Sequence, residues 1–338
     1  MVHNRTIRLA SRPVGMVKPE NFSAANEALP EPGDGQFRVK VECVSLDPAM
    51  RGWIAEGKSY VQPVGVGEIM RSYSAGYVDV SNHPDYQPGD AVTGMFGVQQ
   101  YAISDGSNGV VKVDTKQAPL ARWIGGLGMP GTTAYFGLLD IGQPKEGETV
   151  LVSAASGAVG SIVGQIAKIK KCHTVGITGG AEKCRYVVEE LGFDACVDYK
   201  AGNLYKDLKQ ACPNGIDVYY ENVGGEIFDI ALSQMNLFGR IPVCGMISNY
   251  NATEVPPGPK NIRSILVNRL TVRGLIVFDF IKRYPEAADA LGRWHAEGKL
   301  KMNEDVRSTG IDSFPEVLNL LYTGGNLGKL ILNVQDQP

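Results

Sequence analysis

The sequence predicts an α/β protein, a doubly wound parallel sheet joined to a mostly β domain. Three observations predict it. From about Thr149 onward, strand-like and helix-like segments alternate several times. The strand-like segments are short, apolar and β-branched, as strands buried on both faces must be. Ahead of them, the chain is a series of β-type runs cut by Gly and Pro turns.

The β-type runs are "TIRLA", "QFRVKVECVSL", "AGYVDV" and "DAVTGMFGVQQYAI", separated by "EPGDG", "HPDYQPGD" and "SDGSNG". They read as a β domain of barrel or irregular type. In the middle, "TVLVSAA" precedes the helical pattern "AVGSIVGQIAKIKK", and "HTVGIT" precedes "AEKCRYVVEELG". "ACVDY" precedes "NLYKDLKQAC", "GIDVYYENV" precedes "GEIFDIALSQM", and "GRIPVCGMI" follows. A further strand, "RLTVRGLIVF", comes after the Pro-rich loop. The tail reads as two helices, near "PEAADALGRWHAEGK" and "SFPEVLNLLYTG", and a last strand "KLILNV" that returns to the first domain. The expected division is a β-rich domain of residues 1–125 plus 302–338 and a dinucleotide-binding domain of residues 126–301.

Composition excludes several classes. Of 338 residues 43% are hydrophobic and the net charge is -3, so a nucleic-acid footprint is not expected. No apolar run reaches the roughly 18 residues that span a bilayer. The stretch "MVHNRTIRLASRP" has no apolar signal core, so a cytoplasmic location and no membrane partner are expected. The six cysteines are scattered, without a CxxC pair, and read as buried thiols rather than disulfides or zinc ligands. The four histidines have no catalytic partner in sequence and read as structural or solvated.

The chemistry starts at "SAASGAVGSIVG". Gly157 and Gly160 give a tight turn that a pyrophosphate can approach, and Gly164 suits close helix packing. The turn follows a strand and opens a helix, so the diphosphate would meet the free N–H groups of the helix start. A site for NAD places Asp or Glu about 20 residues on, to hold the ribose 2′-hydroxyl. Here Thr178, Gly179 and Gly180 stand there and Lys183 follows. A lysine attracts a 2′-phosphate that an acid would repel, so the expected cofactor is NADP(H).

These features together resemble the medium-chain dehydrogenase/reductase superfamily. The zinc enzymes of that superfamily carry Gly-His-Glu where this chain has "PVGVGEIM", with Gly67 in the place of the histidine and Glu68 retained. No metal is therefore expected. The segments "LGMPGTTAYFGLLDIGQPKEGETVLVSAASGAVGSIVGQIAK", "YYENVGGEIFD", "GRIPVCGMISNYN", "PPGP" and "GGNLGKLIL" are similar to the zinc-independent branch of prostaglandin reductases, plant double-bond reductases and bacterial curcumin reductase. The resemblance implies a Rossmann domain, a discontinuous GroES-like catalytic domain, and NADPH-dependent reduction of a C=C bond conjugated to a carbonyl.

It also implies site residues. Gly157, Val159 and Gly160 would meet the pyrophosphate, and Gly180, Lys183 and Tyr199 would surround the 2′-phosphate. Asn222 and Asn326 would bind around the nicotinamide, with Thr133 beside its ring. Gly245 and Ser248 would line the cofactor bed, and the strand around Val277 and Phe278 would flank nicotinamide and substrate. Tyr250 would donate a hydrogen bond to the oxyanion that grows during hydride addition, since a neutral phenol keeps its proton at pH 7. Relatives commonly read Leu-Asp-Pro-Tyr-Met-Arg where this chain has "LDPAMR", so Ala49 removes a phenol from the substrate pocket and leaves room, beside Arg51. Quinone or carbonyl reduction on the same scaffold, and a non-catalytic NADPH-binding role, are the alternatives. A homodimer paired through the strand "RLTVRGLIVF" is expected.

Overall fold

The computed structural model describes residues 3–335, and the chain forms two compact units, Met1–Gly125 with Glu304–Pro338 and Gly126–Asn303. In the first unit β1 (His3–Leu9) pairs antiparallel with β2 (Phe22–Ala28). β3 (Phe37–Ser45) pairs with both β4 (Ser74–Ser81) and β6 (Tyr101–Ser104). β5 (Ala91–Gly94) joins β4 to the short β7 (Val111–Lys112). The run "DAVTGMFGVQQYAI" is thus two strands rather than one. Between them Gly97 turns at φ +78, and its N–H and that of Val98 go to the carbonyls of Ser72 and Met70.

The second unit holds six parallel strands. They are β8 (Thr149–Ser153), β9 (His173–Thr178), β10 (Ala195–Asp198), β11 (Ile216–Tyr220), β12 (Met235–Val243) and β13 (Thr271–Gly274). Their order is β10-β9-β8-β11-β12-β13, the doubly wound arrangement. Alternation decides which face each side chain joins. Val150 and Val152 of β8 pack with Val218 and Tyr220 of β11 in one core, and Leu151 and Tyr219 pack in the other. The first core takes the helices Gly160–Ile169 and Tyr284–Ala296, and the second takes Leu204–Ala211 and Gly225–Leu232.

The tail returns to the first unit. β14 (Glu304–Arg307) pairs parallel with β15 (Lys329–Asn333), and β15 pairs antiparallel with β3. This completes a seven-stranded sheet, so the fold is the expected α/β class with a mostly β partner domain.

One expected strand is corrected. "RLTVRGLIVF" forms a strand only over Thr271–Gly274, and Val277–Arg283 is a 3-10 helix. Apolar β-branched residues suit a strand, but a strand also needs a neighbour. The last bond to β12 is Leu275 N–H to Val243 O, and beyond it Cys244 and Gly245 donate to Glu221 instead. Val277 and Phe278 therefore sit on a helical turn. β2, β14 and the helix Met129–Phe136 carry no clear periodicity and were not legible as elements.

Candidate cofactor and active site

The winding of the parallel sheet reverses between β8 and β11. Ligands of such sheets lie beyond the carboxyl ends of the strands at that reversal. The glycine turn leaves β8 there. Ala154 takes φ +51, and a Cβ on Gly160 would lie 2.3 Å from its carbonyl oxygen. A Cβ on Gly157 would lie 3.2 Å from the same oxygen. The helix Gly160–Ile169 begins after Val159 with no side-chain cap; the Ser161 N–H turns back to Gly157 O and the Ile162 N–H to Val159 O, and the positive end of the helix dipole faces the turn. Gly164 does a different job, because a Cβ there would strike the Phe193 ring at 1.8 Å. The turn fits a pyrophosphate.

β9 ends at Thr178, whose hydroxyl is bonded to that of Ser156 at 2.7 Å. Gly180 takes φ +97 and gives its N–H to Asp198 Oδ1 at 2.8 Å. The same oxygen accepts the Lys200 N–H at 2.9 Å. A Cβ on Gly179 would lie 2.8 Å from Tyr199 Cε1 and 2.9 Å from Lys200 Cε. A side chain on Gly179 would therefore have to displace Tyr199 and Lys200. Tyr199 closes over the strand end, with the Lys200 ammonium 5.8 Å from its ring centre. Lys183 stands in the first turn of the helix Ala181–Glu189, just after Gly180.

Beyond β11 a second cluster forms. Asn222 meets Ser153 at two points: its N–H donates to Ser153 Oγ at 2.8 Å and its Nδ2 to Ser153 O at 2.7 Å. Ser248 Oγ donates to Val223 O at 2.6 Å, and Gly224 and Gly225 leave the space it occupies. Gly245 N–H donates to Glu221 O, and a Cβ on Gly245 would meet Tyr250 Oη at 3.1 Å. Tyr250 Oη accepts the Met246 N–H at 3.3 Å. Asn222, Gly245, Ser248 and Tyr250 are thus one group at the reversal, held by hydrogen bonds and close contact. Thr133 is tied to it through β11: the Tyr220 hydroxyl donates to Thr133 O at 2.9 Å. The Thr133 hydroxyl is committed to Met129 O at 2.7 Å. Phe278 is 36% exposed on its 3-10 helix.

The remaining residues lie in the other unit. Ala49 opens the short helix Met50–Trp53 and packs against the core. Arg51 is buried. It is 7% exposed and donates to Pro13 O at 3.0 Å and Gly15 O at 3.2 Å, which holds the neighbouring loop. Asn326 closes its own turn, with Nδ2 donating to Gly328 O at 3.0 Å. Glu68 Oε2 accepts the Gly65 N–H at 2.7 Å, a local turn rather than a ligand geometry. Among the described residues no group of three or more His, Cys, Asp or Glu could hold a metal ion.

Sequence reasoning missed Glu221, Tyr219, Tyr220 and Asp198, which hold these turns from behind. Only Asp198 left a signal, as an acid one residue before Tyr199.

Comparison with known proteins decides the family. A model described as the N-terminal domain of oxidoreductase matches residues 5–113, and one described as zinc-binding dehydrogenase matches residues 158–293. The chain is 47% identical to the NADPH-dependent curcumin reductase of Escherichia coli, over 98% of this chain and 97% of that protein. The chain belongs to the alkenal and curcumin reductase branch of the medium-chain dehydrogenase/reductase superfamily. The NADP(+)-dependent 2-alkenal reductase of Nicotiana tabacum is 39% identical over 98% of both chains. The crystal structure of CurA from Vibrio vulnificus in complex with NADPH matches with a TM-score of 0.94 and 43% identity, over 99% of this chain and 100% of that one. This reductase is accordingly an NADP-dependent oxidoreductase of the double-bond type, and its cofactor is NADPH.

Proposed function

We propose that the reductase acts on the C=C bond of small α,β-unsaturated aldehydes and ketones, with the cluster beyond β11 as its reacting end. The observation that carries this reading is the joining of Asn222, Gly245, Ser248 and Tyr250 at the sheet reversal. When bound, NADPH supplies the hydride that adds to the β-carbon. The chain's part is to hold and polarise. Gly157, Val159 and Gly160 receive the pyrophosphate, and Gly180, Lys183 and Tyr199 receive the 2′-phosphate. Asn222 and Ser248 fix the turn against which the nicotinamide end rests.

Tyr250 is the hydrogen-bond donor to the substrate oxygen. The Met246 N–H donates to a lone pair of its oxygen. As charge grows on the carbonyl oxygen, a donor already in place costs no reorganisation. The roles of Ala49, Arg51, Thr133, Phe278 and Asn326 rest on the family resemblance. Ala49 widens the substrate pocket, and Arg51 acts on it by holding the Pro13–Gly15 loop.

The test is product identity. Purified protein with NADPH and a trans-2-alkenal should oxidise the cofactor and yield the saturated aldehyde, with NADH far less effective. An allylic alcohol as product, or turnover with quinones alone, would move the reading to carbonyl or quinone reduction.

A homodimer fits the same structure. β13 is an edge strand whose four residues are all exposed. Beside it stand exposed Leu237, Phe238, Leu266 and Val267, with the Phe238 N–H bonded to Asn268 O at 2.7 Å. A second copy paired along β13 would cover both the edge and this apolar surface. Free cysteines suit a reducing, cytosolic setting. No helix among the described residues is long and apolar enough to cross a membrane.

A further inference from the structure

Glu221 is 1% exposed just past the end of β11, and nothing in the proposed reaction uses it. Its Oε1 accepts the N–H groups of Val223 and Gly224, at the entry to the helix Gly225–Leu232. Its Oε2 and the Tyr219 hydroxyl are buried without a hydrogen-bond partner of good geometry among the described residues. The two groups lie against each other, and the Tyr219 hydroxyl also lies against Ser153. Ser153 Oγ in turn accepts the Asn222 N–H. Glu221, Tyr219, Ser153 and Asn222 so lie side by side at the sheet reversal. The backbone of Glu221 extends this group, since its carbonyl accepts Cys244 N–H at 2.8 Å and Gly245 N–H at 3.2 Å.

We propose that Glu221 is a positioning residue for NADPH, its carboxyl holding the Asn222–Gly225 turn in the shape that receives the cofactor. The inference rests on the assignment of that turn to the cofactor. A carboxylate accepts N–H bonds more strongly than a neutral acid does, so the ionised form holds the turn tighter. A buried charge without a counter-ion is also costly to the fold. The groups acting on the carboxyl are the Tyr219 phenol from its own strand, the Val223 and Gly224 amides, and the Cys244 thiol beyond β12, none of them a cation. Burial pushes the Glu221 carboxyl up to about 7. The sign follows from linkage. A raised folded value gives a stability contribution that is full below the ordinary carboxylate range and is lost as pH rises through about 7. Cofactor affinity gains over that same interval. Affinity and stability thus move in opposite directions, whereas a merely structural carboxylate would move them together.

Glu221→Gln keeps the Oε1 acceptor and never ionises. The measurements are the NADPH dissociation constant by fluorescence titration and the unfolding midpoint of the cofactor-free protein, for both proteins across neutral pH. The dissociation constant of the variant relative to the parent should rise from about 1 near pH ~6 to about fivefold near pH ~8.5. The unfolding midpoint of the variant should equal or exceed the parent's at the alkaline end. Titration of the cofactor 2′-phosphate is common to both proteins and cancels in the ratio. A ratio that stays flat overturns the proposal, and so does a variant whose midpoint falls with its affinity. Should Glu221→Gln fail to fold, Tyr219→Phe gives the answer: loss of the facing hydroxyl should move the alkaline gain in affinity to higher pH, and an unchanged profile overturns the role. Asn222→Ala separates this inference from the reading beneath it. Unchanged NADPH affinity there removes the turn from the cofactor site and the Glu221 role with it. Weakened affinity there with a flat Glu221→Gln ratio overturns the Glu221 role alone.

Discussion

Tyr250 and Gly160 show how differently two residues serve one site. Tyr250 acts through its proton, and the Met246 N–H binds a lone pair of the same oxygen instead. Tyr250→Phe should lower kcat by about 10²-fold, the usual scale for a lost proton donor, with the NADPH dissociation constant little changed. A matched loss of affinity would place Tyr250 in cofactor binding instead. Gly160 acts through what it lacks. An added Cβ would sit 2.3 Å from Ala154 O, inside any allowed contact, so Gly160→Ala must displace the turn. NADPH affinity should fall at least about tenfold, measured by titration. Lys329 is a third case, with no cofactor role assigned. It is 3% exposed, donates to Leu46 O and Asp47 Oδ1 at 2.7 Å each, and burial lowers its proton affinity. Lys329→Met leaves Asp47 without its cation and should cost about 3–5 kcal/mol in urea unfolding.

At the scale of elements, the ends of strands carry the function and the middles carry the fold. The β9 end, Gly180 and the helix Ala181–Glu189 present Lys183 and Tyr199 where an NAD enzyme would place an acid. Lys183→Ala should weaken NADPH about tenfold and leave NADH unchanged, a loss confined to the cofactor that carries the extra phosphate. Equal losses for both cofactors would count against the assignment. The opposite ends of the strands are held by charge. Arg240 of β12 donates to both Glu148 oxygens, just ahead of β8, and to the carbonyls of Gly142 and Gln143. Burial raises the Glu148 carboxyl, but Arg240 and the Lys145 N–H outweigh it and hold it below the usual range. A lowered value gives stability above the unfolded carboxylate range that disappears as pH falls through the folded value. Unfolding midpoints measured from pH ~7 down to ~3 should therefore fall less steeply for Glu148→Gln than for the parent, from a lower starting value.

For the whole molecule, the open question is assembly. β13 offers an unpaired edge, and Val272 lies at its centre, paired inward with Ile241. Val272 is itself exposed, so Val272→Lys sets a charge on that edge without replacing a buried residue. Sedimentation at micromolar concentration should show a dimer for the parent and a monomer for the variant. A parent that sediments as a monomer would remove the dimer from the reading. Much of this architecture was legible in the chain. Alternation of β-branched runs with amphipathic runs fixed the parallel sheet, because buried strands and half-buried helices leave different periods. The glycine turn and the missing acid at Thr178–Gly180 named the cofactor, because backbone approach and charge are properties of residue type. Phe278 was misplaced on a strand because composition records β propensity and not the end of a neighbour. The burial of Arg51 was not legible, because burial of a guanidinium depends on two carbonyls, of Pro13 and Gly15, more than thirty residues away. Glu221 gave no signal at all. Its role exists only because β8, β11 and β12 end side by side, which sets Tyr219 against its carboxyl, Ser153 against Tyr219 and Asn222, and the Gly245 N–H on its main-chain carbonyl. Local chemistry was thus determined by the sequence itself. Which polar groups are buried together, and what they hold, was decided by tertiary structure, since desolvation and hydrogen bonding between distant segments have no local imprint.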